Sequence, residues 1–266
     1  MRTASVGRLA LSALLASSLG ACAVSGSGVV KATPSTSPFA IVSPTPPTIT
    51  PPTNLVRPGT ITFLSDTTYP PQESIDPGTQ QAVGFDIDIA QAIAAKMGLA
   101  ATIQKTDSPQ IVGALLAKKG DAIISALQIT PDLERQVALV AYFRAGQAIL
   151  VRKGNAIKKH VYPTDLQAVL ILKQRGVDAA LDDSPVAAYF VKQTPDQLEL
   201  AGGPFKTNPE GIAIDPKNGD VLKAVQQAML AIYQDGSYRQ ILTKWNLLDG
   251  EIPVSQIVVS PSPTTS

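Results

Sequence analysis

Apolar residues recur at helical spacing in several stretches of this chain, and glycine tends to close each one. In residues 86–97, Ile89, Ile93 and Met97 repeat every four positions and Gly98 supplies the stop. Ser108-Pro109 reads as a helix start, serine as cap and proline in the first turn. The helix carries Ile111, Val112, Leu115 and Leu116 on one face and ends at Gly120. Residues 121–127 then read as a buried strand, as do residues 60–65 and 211–215. Thr164-Asp165 caps a helix with Leu166, Val169 and Leu172, which stops at Gly176 before a strand at 177–181. Ser184-Pro185 opens a helix with Val186, Tyr189 and Phe190. Residues 221–235 form a long one, broken at Gly236 and restarted at Ser237 with Tyr238, Ile241, Leu242 and Trp245 inward.

Two of these passages share a plan. Leu116-Ala117-Lys118-Lys119-Gly120-Asp121-Ala122 and Leu172-Lys173-Gln174-Arg175-Gly176-Val177-Asp178-Ala179 each run from amphipathic helix through a basic turn and a glycine to Asp-Ala at a strand. Any helix-to-strand joint favours glycine. A repeated supersecondary unit also marks a repeated architecture, here two similar α/β lobes.

The flanks differ in composition. Residues 1–22 have a basic start at Arg2 and Arg8, then an apolar run of about ten residues, the length of a signal-peptide core and too short to span a bilayer. They end on Leu19-Gly20-Ala21-Cys22, which resembles a bacterial lipobox. That reading makes Cys22 the acylated first residue of a protein held on the outer face of the cell membrane. Residues 23–57 are rich in Ser, Thr and Pro and read as an extended tether; residues 251–266 read as an unstructured tail.

Composition removes several chemistries. Cys22 is the only cysteine and His160 the only histidine, so disulfides, cysteine metal clusters and Ser-His-Asp or Cys-His catalysis lack raw material. His160 sits in a Lys158-Lys159-His160 run, read as a solvated loop. With 22 basic and 21 acidic residues there is no basic surface for nucleic acid. No nucleotide-binding glycine motif occurs, and no metal or cofactor is expected.

The motifs between the flanks resemble a known family. They are Tyr69-Pro70-Pro71-Gln72-Glu73, Gly84-Phe85-Asp86-Ile87-Asp88-Ile89-Ala90, Gly120-Asp121-Ala122-Ile123-Ile124-Ser125-Ala126-Leu127-Gln128-Ile129-Thr130-Pro131, Ile149-Leu150-Val151-Arg152-Lys153-Gly154-Asn155, Val177-Asp178-Ala179-Ala180-Leu181-Asp182-Asp183-Ser184-Pro185-Val186-Ala187, and Asp235-Gly236-Ser237-Tyr238 with Trp245. In this order they resemble the family 3 extracellular solute-binding proteins, amino-acid receptors of ABC importers. The resemblance implies a two-lobed α/β fold of the type II periplasmic-binding-protein kind, monomeric, non-enzymatic, delivering its ligand to permease subunits in the membrane. Lobe 1 would be 55–146 plus 211–250 and lobe 2 147–210, with crossings near Ala145-Gly146 and Pro209-Glu210-Gly211.

The resemblance also implies ligand contacts. Tyr69 falls where an aromatic wall covers the ligand, Asp66 beside it is placed to read a polar side chain, Ser125 offers a hydroxyl, and Asp183 matches the carboxylate that grips an ammonium. On the residues alone, Tyr69 also suits a turn anchor and Asp183 a helix cap.

Three departures concern the ligand's carboxylate. Gln128 stands where the family has Ser or Thr, and Leu133 stands at its arginine. Arg135 lies two residues on, roughly 200° around a helix. A glycine-threonine-threonine turn is missing after Asn155, and with it several dozen residues of lobe 2. Losing a charge-assisted clamp costs about 2–5 kcal/mol. The alternatives are a diverged surface sensor or remnant that binds no amino acid, and an enzyme, since some proteins of this fold are dehydratases; no general acid/base pair stands out for the latter.

Overall fold

A computed structural model of the chain describes residues 49–154 and 164–257. Cys22, the signal segment, most of the tether, His160 and the end of the tail lie outside the described residues.

Strand β1 (Thr60–Ser65) buries Ile61, Phe63 and Leu64 completely. A meander of β2 (Thr68–Tyr69), β3 (Glu73–Ile75) and β4 (Ala82–Val83) leads into helix α1 (Phe85–Lys96). Then β5 (Ala100–Lys105) returns parallel to β1, and α2 (Ser108–Leu116) crosses to β6 (Ala122–Ile123), parallel on β1's other side. The one-turn helix α3 (Pro131–Glu134) precedes β7 (Ala138–Arg152). Beyond it come α4 (Asp165–Lys173), β8 (Ala179–Asp183), α5 (Ser184–Gln193), β9 (Leu198–Leu200), β10 (Phe205–Ile214), α6 (Gly219–Gln234) and α7 (Ser237–Trp245), followed by short turns at Leu248–Gly250 and Val254–Gln256.

One mixed sheet runs β5-β1-β6-β10-β7-β8, with β9 also on β7. Three apolar clusters line it. Ile61, Phe63, Ile89, Ile93, Val225 and Met229 pack between the sheet and helices α1 and α6. On the opposite face Leu64, Ile111, Leu115, Ile123 and Leu139 pack under α2. The third and smallest, Leu150, Val169, Leu172, Val177, Ala180 and Leu198, lies at the far end. β7 contributes Tyr142 to the first and Leu150 to the third, so the long strands β7 and β10 carry the chain between two lobes. Lobe 2 is the smaller and borrows the end of β7 for its sheet.

The repeated helix–glycine–strand joints diverge in detail. Asp121 accepts the backbone N–H groups of Val56 and Thr62, each at 2.7 Å, and closes the entry to β1. Asp178 pairs with Arg152, whose guanidinium also binds the carbonyls of Leu172 and Val177 and so ties α4 to β7.

Several expectations are corrected. The strand expected at 121–127 pairs only at Ala122–Ile123, because Ala126 takes a left-handed φ of 47° and gives its N–H to the Asp86 carboxylate. Ser108 does not cap α2 but is its first residue, its N–H bound by Asp66 Oδ2 at 2.7 Å. The tether expected to run to residue 57 packs from Ile49 onward: Ile49 is 8% exposed and donates to the Lys96 carbonyl. The segment expected as a tail from 251 packs on the body at 251–257, because Ile252 and Ile257 enter the first cluster. Composition hid this, since one or two apolar side chains suffice to dock a polar segment.

Gly84 shows how closely the parts fit. Its φ is 143°, and a Cβ there would lie 2.1 Å from the Gln72 carbonyl oxygen, which accepts the Asp86 N–H at 2.9 Å. Gly113 in α2 has open space around it. Gly84→Ala is expected to lower unfolding free energy by about 2 kcal/mol or more, and Gly113→Ala to raise it by about 0.5–1 kcal/mol. Urea titration of the two variants checks both signs.

Candidate functional site

The strands β1 and β6 end side by side, and the chain leaving each supplies polar groups to one region, the position where open α/β sheets hold ligands. Asp66 follows β1, Ser125 follows β6 and Tyr69 lies on β2. From the other lobe comes Asp183, the last residue of β8. Its register partner on β7 is Gln147.

Tyr69 and Asp183 meet. The Tyr69 hydroxyl donates to Asp183 Oδ2 at 2.6 Å, and Gln147 Nε2 donates to Oδ1 at 2.5 Å. Asp183 occupies the N-cap position of α5, yet its side chain makes no capping bond. Its carboxylate is turned toward lobe 1 instead. Burial, and then the hydrogen bond to Asp183 and its charge, push the Tyr69 hydroxyl well above its ordinary value and keep it a proton donor. Neighbouring Asp182 accepts the Asp183 N–H at Oδ1 and is pushed up to about 7 by burial and then by the Asp165 charge.

The other sequence-derived candidates are committed differently. Ser125 donates to Glu73 Oε1 at 2.7 Å and accepts the Asp66 N–H at 3.0 Å, so its hydroxyl proton is taken. The Asp66 carboxylate accepts from the Thr68 hydroxyl and the Ser108 N–H. Gln128 is exposed and forms an isolated antiparallel bridge with Glu210 through its backbone. Arg135 does not join the group. It follows α3, is exposed, and pairs with Asp132. Leu133 packs against the cluster beneath α2.

Behind this surface lies a buried polar network to which the sequence assigned no role. Asp86, at 0% exposure, accepts from Tyr142 Oη at 2.8 Å and from Ala126 N–H at 2.9 Å. The register between β7 and β10 skips Tyr142, and that bulge frees its side chain to reach Asp86. Gln72 Nε2 donates to Glu210 Oε2 at 2.6 Å. Burial pushes Asp86 up to about 7, against the opposing bonds from Ala126 and Tyr142. Burial, and then the Asp86 charge, push Glu73 up to about 11 and Glu210 up to about 8. Among the described residues none of Asp66, Glu73, Asp86, Asp182, Asp183 and Glu210 takes part in an ion pair. No group of three or more His, Cys, Asp or Glu among the described residues has the geometry to hold a metal ion. Asp86 had a sequence signal: three and seven residues before Ile89 and Ile93, it lies on an apolar stripe. Glu210 stands at an expected crossing and was given no part in the site.

Comparison with known proteins gives a context for this geometry. Residues 61–248 match the bacterial extracellular solute-binding proteins, family 3. ABC transporter arginine-binding protein 1 of Escherichia coli K12 is 28% identical over 221 aligned positions, which take up 70% of this chain and 90% of the relative. Seventy per cent of 266 residues is fewer than 221, so several dozen positions of the relative have no counterpart here. The L-cystine-binding protein TcyJ of the same organism is 25% identical, covering 70% of this chain and 82% of its own. Among solved structures, an ancestral cationic amino acid solute-binding protein superposes with a TM-score of 0.64 at 28% identity, covering 70% of this chain and 95% of its own. These relatives are binding proteins, and the chain is not an enzyme.

The buried acids set a pH dependence. Glu210 faces Gln72, Asp86, Asp183 and, through the same network, Glu73. Its folded value is raised, so the folded state holds a proton that the unfolded state releases. Stability is therefore complete below about 4.5 and lost as pH rises toward about 8. The ligand-free protein is expected to melt higher at pH 5 than at pH 8. Glu210→Gln should stabilise it at pH 8 by about 1–3 kcal/mol and change little at pH 5. Thermal melts of both proteins across this range check the sign.

Proposed function

The chain belongs to the bacterial extracellular solute-binding proteins, family 3, and from that premise we propose that it is the extracytoplasmic receptor of an ABC importer, closing its two lobes on a small ammonium-bearing solute. The lobes divide as 55–146 with 211–250, and 147–210. Cys22 carries the lipid that holds the receptor at the membrane, and residues beyond it form the leash from which the folded part reaches the permease subunits. The protein works as a monomer.

The observation that carries this reading is the Tyr69–Asp183 bond, which joins the two lobes through one carboxylate. Asp183 receives neutral donors from both sides, the Tyr69 hydroxyl and the Gln147 amide. A ligand ammonium that takes the hydroxyl's place exchanges one neutral hydrogen bond for charge-assisted ones, which are about twice as strong. Tyr69 then turns its ring to the ligand's side chain. The strands β7 and β10 are the connections about which the lobes separate to admit solute and approach to enclose it. Ligand energy spent on closure is what a permease reads, because the closed form presents both lobes in one fixed arrangement. The names of the relatives point to amino acids, among them arginine and cystine, as the first solutes to test.

Calorimetry of the whole chain in detergent against amino acids and small amines tests the proposal. At least one solute is expected to bind, and Asp183→Ala to weaken it by about 2–5 kcal/mol while the fold persists. Silence across the panel would overturn the receptor assignment. For the anchor, Cys22→Ser is expected to move the protein from the membrane to the soluble fraction and to abolish fatty-acid labelling.

A further inference from the structure

The charges around the site do not suit a zwitterion. An α-amino acid needs an acceptor for its ammonium and a cation or free donors for its carboxylate. Asp183 supplies the first. For the second, the Ser125 hydroxyl proton already goes to Glu73, Leu133 is apolar, and Arg135 is exposed and paired with Asp132. A carboxylate placed beside these groups would meet the Asp183 charge and two acids that burial already keeps protonated, Glu73 and Glu210, with no ion pair to any of the three among the described residues.

The surplus acceptors continue past Asp183. Glu210 is close enough to feel the Asp183 charge, is 2% exposed, and is held only by the neutral Gln72 amide. The Oε1 of that same amide is buried with no hydrogen-bond donor, on a side chain at 0% exposure. Asp183, Glu210 and the unmet Gln72 oxygen are together rich in acceptors and call for donors and positive charge.

We infer that the site selects a cationic amine lacking a carboxylate, best a short diamine or a guanidino-amine, with one cationic end on Asp183 and the other toward Glu210 and the Gln72 amide. This deepens the receptor reading and rests on it. The absent carboxylate clamp is then the specificity device: a cation beside Glu210 draws off the proton that burial keeps there and pairs with the carboxylate left behind, whereas a zwitterion's anionic end finds Asp183 and no cation.

Matched pairs separate the two ligand classes: cadaverine against lysine, putrescine against ornithine, agmatine against arginine. Each differs by a single carboxylate. Calorimetry of the whole chain in detergent at pH 8 is expected to give each amine at least about tenfold tighter binding than its amino acid. Glu210→Gln should weaken the diamines more than a monoamine such as butylamine. Amino acids binding as tightly as their amines, or diamines that Glu210→Gln weakens no more than butylamine, would overturn this inference and leave the receptor standing. No binding by either class would remove the receptor reading itself.

Discussion

The carboxylate of Asp86 holds the working end of this molecule together. It sits at the start of α1, fully buried, and takes hydrogen bonds from Ala126 beyond β6 and Tyr142 on β7. Burying a carboxylate without a cation is expensive, so every donor that reaches it is under constraint. Holding the Ala126 N–H forces that residue into a left-handed conformation, and this ends β6 early. Ser125 is thereby set against Glu73 and Asp66, while the following residues bridge to Glu210. The bulge in β7 is the same constraint met from the other strand, for it is what lets Tyr142 arrive.

Function is read most directly from how little holds lobe 2. Its own cluster is small, its sheet depends on the end of β7, and several dozen positions present in a relative are absent. Small bodies bury a smaller share of their surface and are correspondingly marginal. Sharing β7 with lobe 1 is the compensation, together with the Arg152 guanidinium that ties α4 to that strand. The Tyr69–Asp183 contact adds a polar connection at the site itself. Neutral donors hold it, so a cation can displace them without leaving a charge unpaired.

The candidate site was legible in part, and the division has a physical basis. Tyr69, Ser125 and Asp183 lie in motifs with a family pattern and Asp66 lies near one of them, and the structure sets all four around the ends of β1, β6 and β8. Arg135 lay in the same stretch of sequence but pairs locally with Asp132, since a three-residue separation on a helical turn brings opposite charges together before any distant partner can compete. Glu210 and Gln72 were given no part in the site, although Gln72 stands in the Tyr69–Glu73 motif and Glu210 at an expected crossing. Their significance is a contact across 138 positions, and a polar residue in a strand looks the same from sequence whether it faces water or a buried amide. The tail misled for the reverse reason: its Ser and Pro content is that of a linker, while two isoleucines decide where it lies.

By itself the sequence determined the succession of helices and their stops, because amphipathic spacing, first-turn proline and terminal glycine act over a few residues. It also determined the absence of thiol and imidazole chemistry, a matter of composition. Only the tertiary structure decided which carboxylates lose their water and crowd together, where β6 breaks, and that the hydroxyl of Tyr69 answers Asp183 across the two lobes. Burial and charge–charge proximity belong to the assembled sheet, and no local pattern along the chain encodes them.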